Sequence, residues 1–216
     1  MNCETIRTSA SEGKGVDLEE YPQRAMLKDG SVVEIRPMVR EDEEGLLSFF
    51  NSLPERERLY LRNDVINDEV VRQWVRNIDY GAVLPMLALS EERIVGNCTL
   101  HRNDFGWMSH VGHIRITTAP DFRQKGLARI LAGEVFCQAL STDLEMVVAE
   151  LVPEQTDVRK VFSQLGFQEE AVLKGRHRDP RGQSHDILVM STEFERLWNS
   201  LLEYCDSFSG TLTMED

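Results

Sequence analysis

The chain has 216 residues, 41% apolar and 28% charged, with a formal net charge of −13. That length supports a compact fold with a sizeable core, and the acidic balance argues against a nucleic-acid partner, which needs a basic surface to displace counterions from phosphates. No apolar run approaches the roughly 20 residues that span a bilayer, and the opening residues lack the basic patch and apolar stretch of a secretory signal, so a cytoplasmic protein without a membrane partner is expected.

Residues 1–25 carry Ser, Gly, Glu and Lys with no apolar period and read as a flexible arm; 26–205 read as one domain and 206–216 as a polar tail. Val33 and Ile35 alternate with polar residues and predict a strand closed by Pro37. Asp42 is placed to cap a helix through Leu46, Leu47 and Phe50. Pro54 and the run Glu55-Arg56-Glu57-Arg58 mark a turn. Val70, Val71, Trp74, Val75 and Ile78 then fall at helical spacing. Residues 86–89 and 94–100 flank Ser90-Glu91-Glu92-Arg93 as a hairpin. A strand follows over 111–118, a helix over 127–140, a strand over 146–152, and a helix over 157–165 stopped by Gly166. Residues 167–173 and 187–191 form a closing hairpin around Asp179-Pro180-Arg181-Gly182, and Thr192 is placed to cap a terminal helix reaching Tyr204. This mixed order predicts an α/β layer, with helices on both faces of a central sheet.

The sharpest local signal lies after the strand 111–118. Ala119-Pro120-Asp121-Phe122 leads into Arg123-Gln124-Lys125-Gly126-Leu127-Ala128 and then a helix. A helix N-terminus offers unpaired N–H groups and a positive dipole end, and a glycine there removes the side chain that would block close approach. A pyrophosphate fits such a concavity. An acidic chain that binds a polyanion should gather its basic residues near the ligand. Two clusters qualify: Arg123, Lys125 and Arg129 at the turn, and Lys174, Arg176, Arg178 and Arg181 further on.

These residues resemble the Gcn5-related N-acetyltransferases (GNAT), whose motif reads Arg or Gln, two residues, Gly, one residue, then Gly or Ala. Val161-Phe162-Ser163-Gln164-Leu165-Gly166-Phe167 resembles the family's leucine-tyrosine-x-x-x-Gly-Phe turn. The closing hairpin, with Gly182 and residues 185–190, is also similar. Residues 33–37 with Asp42, and Leu59-Tyr60-Leu61-Arg62, resemble the acetyltransferase domain of bacterial protein-lysine acetyltransferases. The resemblance spans roughly residues 27–195.

It implies a mixed, mostly antiparallel sheet in which the strands 111–118 and 146–152 splay into a cleft. The pantetheine of acetyl-CoA would then meet the backbone of Ile116, Thr117 and Thr118. The pyrophosphate would take N–H groups between Gln124 and Arg129, through Lys125, Gly126, Leu127 and Ala128, with Arg123 beside them. The reaction implied is direct attack of a neutral amine on the thioester, which needs a base and an oxyanion donor.

Three positions depart from the family. His113 stands where many relatives carry Glu; it is either the base or a packing residue, and Glu150 is the rival base. Phe162 stands where many place a Tyr acid, and Phe cannot donate a proton. Gln155 stands where relatives often have an Asn on the pantetheine. His113, Arg115 and Thr117 share one strand face and Ile114 and Ile116 the other.

His110 and His113 point to opposite faces, so no metal is expected. Cys3, Cys98, Cys137 and Cys205 show no CxxC spacing and read as reduced thiols, with Cys137 a packing residue. The expected acceptor is a protein lysine, drawn in by the acidic run Glu41-Asp42-Glu43-Glu44 or, on the plainer reading, facing a helix that simply opens with acidic residues. A small-molecule amine or amino-acid acetyltransferase and a catalytically weak CoA-binding regulatory module are the alternatives. A monomer and a homodimer both remain open.

Overall fold

The computed structural model describes residues 21–61, 65, 67–102, 106–139 and 142–197. The expected arm through residue 20, Cys3, Arg62, Leu140, the terminal helix beyond 197, Cys205 and the tail lie outside the described residues. Within them, the strands are β1 (Gln23–Met26), β2 (Val32–Pro37), β3 (Val83–Ser90), β4 (Arg93–His101), β5 (Val111–Thr118), β6 (Met146–Leu151), β7 (Gln168–Arg178) and β8 (Ser184–Glu193). The helices are α1 (Glu43–Ser52), α2 (Glu55–Leu59), α3 (Asp68–Arg76), α4 (Leu127–Ala139) and α5 (Thr156–Gln164). The strands form one sheet in the order β1-β2-β3-β4-β5-β6-β8-β7. Every pairing is antiparallel except β5 with β6.

Local chemistry accounts for the predicted elements. The β3–β4 hairpin turns on Glu91 and Glu92, with φ of 48° and 70°. Positive φ at both central residues matches the right-handed twist of the flanking strands, although glycine or asparagine is the usual occupant. The end of α5 is a Schellman motif. Gly166 takes φ 88°, its N–H donates to the Ser163 carbonyl, and the Phe167 N–H donates to the Phe162 carbonyl at 3.0 Å. The Phe162 and Phe167 rings close the motif edge-on, 5.0 Å apart.

The structure corrects several expectations. Residues 23–26 are the edge strand β1, in register from Gln23↔Ile35 to Met26↔Val32. Their composition carries no strand signal, and pairing with β2 supplies the conformation. Residues 55–59 are helical. Asp42 does not cap α1 with its side chain. Its carboxylate takes both Arg36 guanidinium nitrogens, at 2.7 and 2.6 Å, and the Val39 N–H. A bidentate charged partner is stronger than a neutral helix N–H. Thr192 lies buried in β8 opposite Val147.

Two features of the sheet position the site. Gly96 lets α4 approach β4 closely: a Cβ there would stand 2.7 Å from Leu131 Cδ1 and 3.2 Å from Leu127 Cδ2. The second is the parallel pair. β5 and β6 match only at Val111↔Met146, Gly112↔Val147 and His113↔Val148. Beyond that point β5 continues on β4 to Thr118↔Gly96, and β6 continues on β8 to Leu151↔Leu188. The two strands therefore part, as the resemblance implied.

Candidate active site

Strand register decides which side chains meet at the parting. Gly96, under α4, pairs with Thr118, so the even-numbered residues of β5 face α4 and the odd-numbered residues face the other side. Ile114 is accordingly buried in the core. His113 and Arg115 line a cavity of about 430 Å³ on the opposite face. Val148 and Glu150 of β6 line it too, and the β7–β8 hairpin closes it with Leu173, Arg176, His177 and Ile187. Both candidate bases thus share one space, His113 half-buried at the last paired position and Glu150 exposed beyond it.

The helix α2 borders the hairpin on this same side. His177 Nε2 lies 3.0 Å from the Leu59 carbonyl, so that nitrogen is the donor. The His185 ring stands edge-on to Tyr60 at 5.4 Å, and His185 Nε2 reaches Asp179 Oδ2 at 3.1 Å. Asp179 is held below the usual carboxylate range by His185, and then by the backbone N–H groups of Gln183 and Arg181.

On the α4 side, the turn from Ala119 to Gly126 has the form a phosphate needs. The Ala119 N–H donates to the Val95 carbonyl at 2.8 Å, and Pro120–Phe122 form a 3-10 turn. Gln124 and Gly126 take φ of 61° and 91°. Left-handed residues in such a turn make an anion-binding concavity of successive N–H groups. The first turn of α4 adds the Leu127 and Ala128 N–H groups, whereas those of Arg129 and Ile130 already donate to the Gly126 carbonyl at 3.1 and 3.2 Å. Leu127 buries its side chain, so it offers a ligand only its backbone. Ala128 is small and half-buried. Ile116, Thr117 and Thr118 lie on the stretch of β5 that β6 no longer pairs, which leaves a backbone edge for an extended ligand. These residues fit the pyrophosphate and pantetheine of acetyl-CoA.

The basic residues of the turn are already partnered. Arg123 makes a two-pronged bond to Glu57 of α2, with Nη1 2.8 Å from Oε1. Lys125 Nζ lies 2.7 Å from Asp29 and 4.8 Å from the Phe122 ring centre. The Lys125 ammonium holds the Asp29 carboxyl far below the usual range, with Ser31 assisting. Arg129 is half-buried on α4.

Two expected cofactor contacts take other roles. Phe162 is 3% exposed within the core, where its ring locks the end of α5 and has almost no surface to offer a ligand. Gln155 folds back so that its Oε1 accepts the Val152 N–H at 2.9 Å; only its Nε2 stays available. The acidic run is also diverted. Glu43 bridges Arg72 and Arg76 of α3, at 3.2 and 3.4 Å, and Asp42 is taken by Arg36. These carboxylates bind α3 and β2 rather than line the cavity.

Sequence reasoning missed His177 and placed Arg176 only within a charge cluster. Within that cluster Lys174 pairs with Asp186 and Arg181 with Glu55, while Arg176 reaches the cavity. A bulge in β7 between Leu173 and His177 breaks the alternation that would have assigned their faces. Cys98 is buried, and burial pushes its thiol up; Cys137 is half-buried. No group of metal-ligating side chains occurs among the described residues.

Residues 33–168 match the family model described as an Acetyltransferase (GNAT) domain. The fold is similar to the GNAT domain of S. lividans PAT, with TM-score 0.67 and 15% identity over 81% of this chain and 97% of that one. It is similar to Mycobacterium smegmatis RimJ in complex with CoA-disulfide, with TM-score 0.66 and 18% identity over 85% and 93%. It is also similar to a spermidine N-acetyltransferase chimera from Vibrio cholerae SpeG and hSSAT, with TM-score 0.63 and 18% identity over 77% and 98%. The family match runs from β2 into β7, through the turn ahead of α4 and the parting of β5 from β6, and on that ground the chain belongs to the GNAT family as an acetyl-CoA-dependent N-acetyltransferase.

Proposed function

We propose that the chain acetylates a protein lysine in the cytoplasm, by direct attack of the amine within a ternary complex. One observation supports the reading: where β5 and β6 part, the turn ahead of α4 lies on one side of the sheet and the cavity lined by His113 and Glu150 on the other. Acetyl-CoA supplies the activated acetyl group across that gap. The chain's own residues handle the proton. His113, or Glu150 through a water, takes it from the ammonium. The freed amine nitrogen then bonds to the acetyl carbon while the carbon–sulfur bond breaks. The departing thiolate takes its proton from water, because the buried Phe162 ring has none to give, and that water in turn takes the proton that the acylated nitrogen loses. The choice of a protein lysine is supported by the opening segment and by the likeness to the S. lividans PAT domain, a protein acetyltransferase.

Thiol release from acetyl-CoA, followed against lysine peptides and small amines, tests this. With His113 as the base, His113→Ala lowers kcat/KM by roughly 100-fold or more, and its rise with pH through the histidine range disappears. Glu150→Gln costs less. Near-normal rates and an unchanged pH profile in His113→Ala would pass the role to Glu150. No thiol release with any amine would end the acetyl-transfer reading.

A further inference from the structure

An acetyl-transfer cavity needs one group to accept the ammonium proton, and Glu150 or His113 meets that need. The same cavity also holds two guanidiniums, Arg115 on β5 and Arg176 on β7, with His177 beside them. Glu150 is the only carboxylate among its described lining residues. In a chain of net charge −13, this is a local reversal of sign. Arg176 is exposed at the hairpin and makes no ion pair among the described residues. Its neighbours in sequence differ: Lys174 is held by Asp186 at 2.7 Å, and Arg181 by Glu55.

Resting on the acetyl-transfer reading, we propose that the acceptor is an amine carrying an anionic group close by, a carboxylate or a phosphate, which Arg176 binds while Glu150 and His113 face the amine. Arginine suits this role because its planar fork of donors matches the oxygens of either anion. A cleft with an excess of one sign also draws in the opposite charge. A polyamine meets the reverse situation, since its remaining ammonium groups must enter beside two guanidiniums. The anion has two possible sources with the same chemistry. It is either the carboxylate or phosphate of a small acceptor or an acidic side chain next to a lysine in a protein.

The test uses matched acceptors with the purified full chain. One arm compares a free amino acid with its amide. A second compares a lysine peptide with glutamate neighbours and the same peptide with glutamine neighbours. Spermidine is the third. The anionic member of a pair is expected to show kcat/KM higher by about 10-fold, the worth of one hydrogen bond to a charged group, and spermidine is expected to be poor. A preference confined to the amino-acid pair identifies a small acceptor, and one confined to the peptides identifies a protein; either supports the proposal. Arg176→Gln is expected to raise KM for the anionic acceptor, reduce the preference, and leave KM for acetyl-CoA unchanged, with Arg176→Lys restoring part of it. Equal rates within both pairs, faster turnover of spermidine, or a preference untouched by Arg176→Gln would overturn the anion site. In each of those cases acetyl transfer itself still occurs. Absence of transfer to every acceptor would overturn both readings together.

Discussion

Arg123 and Lys125, in the turn proposed to bind the pyrophosphate, already hold carboxylates. On that proposal, an incoming pyrophosphate competes with Glu57 for the Arg123 guanidinium. The pair is about one-third exposed on each side, where such a bridge is worth only about 1 kcal/mol or less. Removing the competitor should therefore help the ligand modestly: Glu57→Gln is expected to tighten CoA binding by up to about fivefold. Gly126 is the opposite case. At φ 91° a side chain is strained, and a carboxylate there faces the expected phosphates, so Gly126→Glu is expected to abolish measurable CoA binding. Calorimetry on the three proteins, with circular dichroism to check the fold, decides. Equal affinities would remove the pyrophosphate from this turn.

The turn joining β7 to β8 is organised by one carboxylate. Asp179 Oδ1 accepts the N–H groups of Arg181 and Gln183 at 2.9 and 2.8 Å, and Oδ2 faces His185. Because its folded pKa is depressed, Asp179 stabilises the fold fully above the ordinary carboxylate value of about 3.9, and that contribution is lost as pH falls through the lower folded value. The melting temperature of Asp179→Asn is expected to lie below that of the wild type at about pH 6, with the gap closing towards about pH 3. A gap that stays constant with pH would mean the carboxylate charge has no part in it. This turn was legible in the sequence, as were the stop at Gly166 and the helix after Gly126, because each is set by residues close along the chain. β1 was not legible: residues 23–26 become a strand only through β2. The Asp42 cap failed for a related reason, since Arg36 is a competitor that helix rules do not weigh. In the site, the turn ahead of α4 was readable from local chemistry. The shared cavity of His113 and Glu150 depends on a parallel register between segments more than 30 residues apart, and the Arg123–Glu57 pair joins residues 66 apart. Neither leaves a periodic trace.

Across the whole molecule, the sheet consists of two leaves, β1–β5 and β6–β8, joined edge to edge by three residue pairs. The five-residue helix α2 provides a second connection. Glu57 reaches the turn ahead of α4, while Leu59 and Tyr60 touch His177 and His185 on the outer hairpin. Amide exchange should report this layout, because local opening concentrates where few bonds must break together. Residues 111–113, 146–148 and 55–60 are expected to exchange faster than the interior of β3 and β4 without ligand, and to slow when CoA is added. Uniform exchange across the sheet, or no response to CoA, would contradict it. In mechanical terms a plate perforated along one line bends on that line, and a molecule wedged into the slot works as a cross-brace. The protein should then be stiffest against bending when its cosubstrate is aboard, and most compliant just after the thiol has left, when the acetylated product must also find its way out.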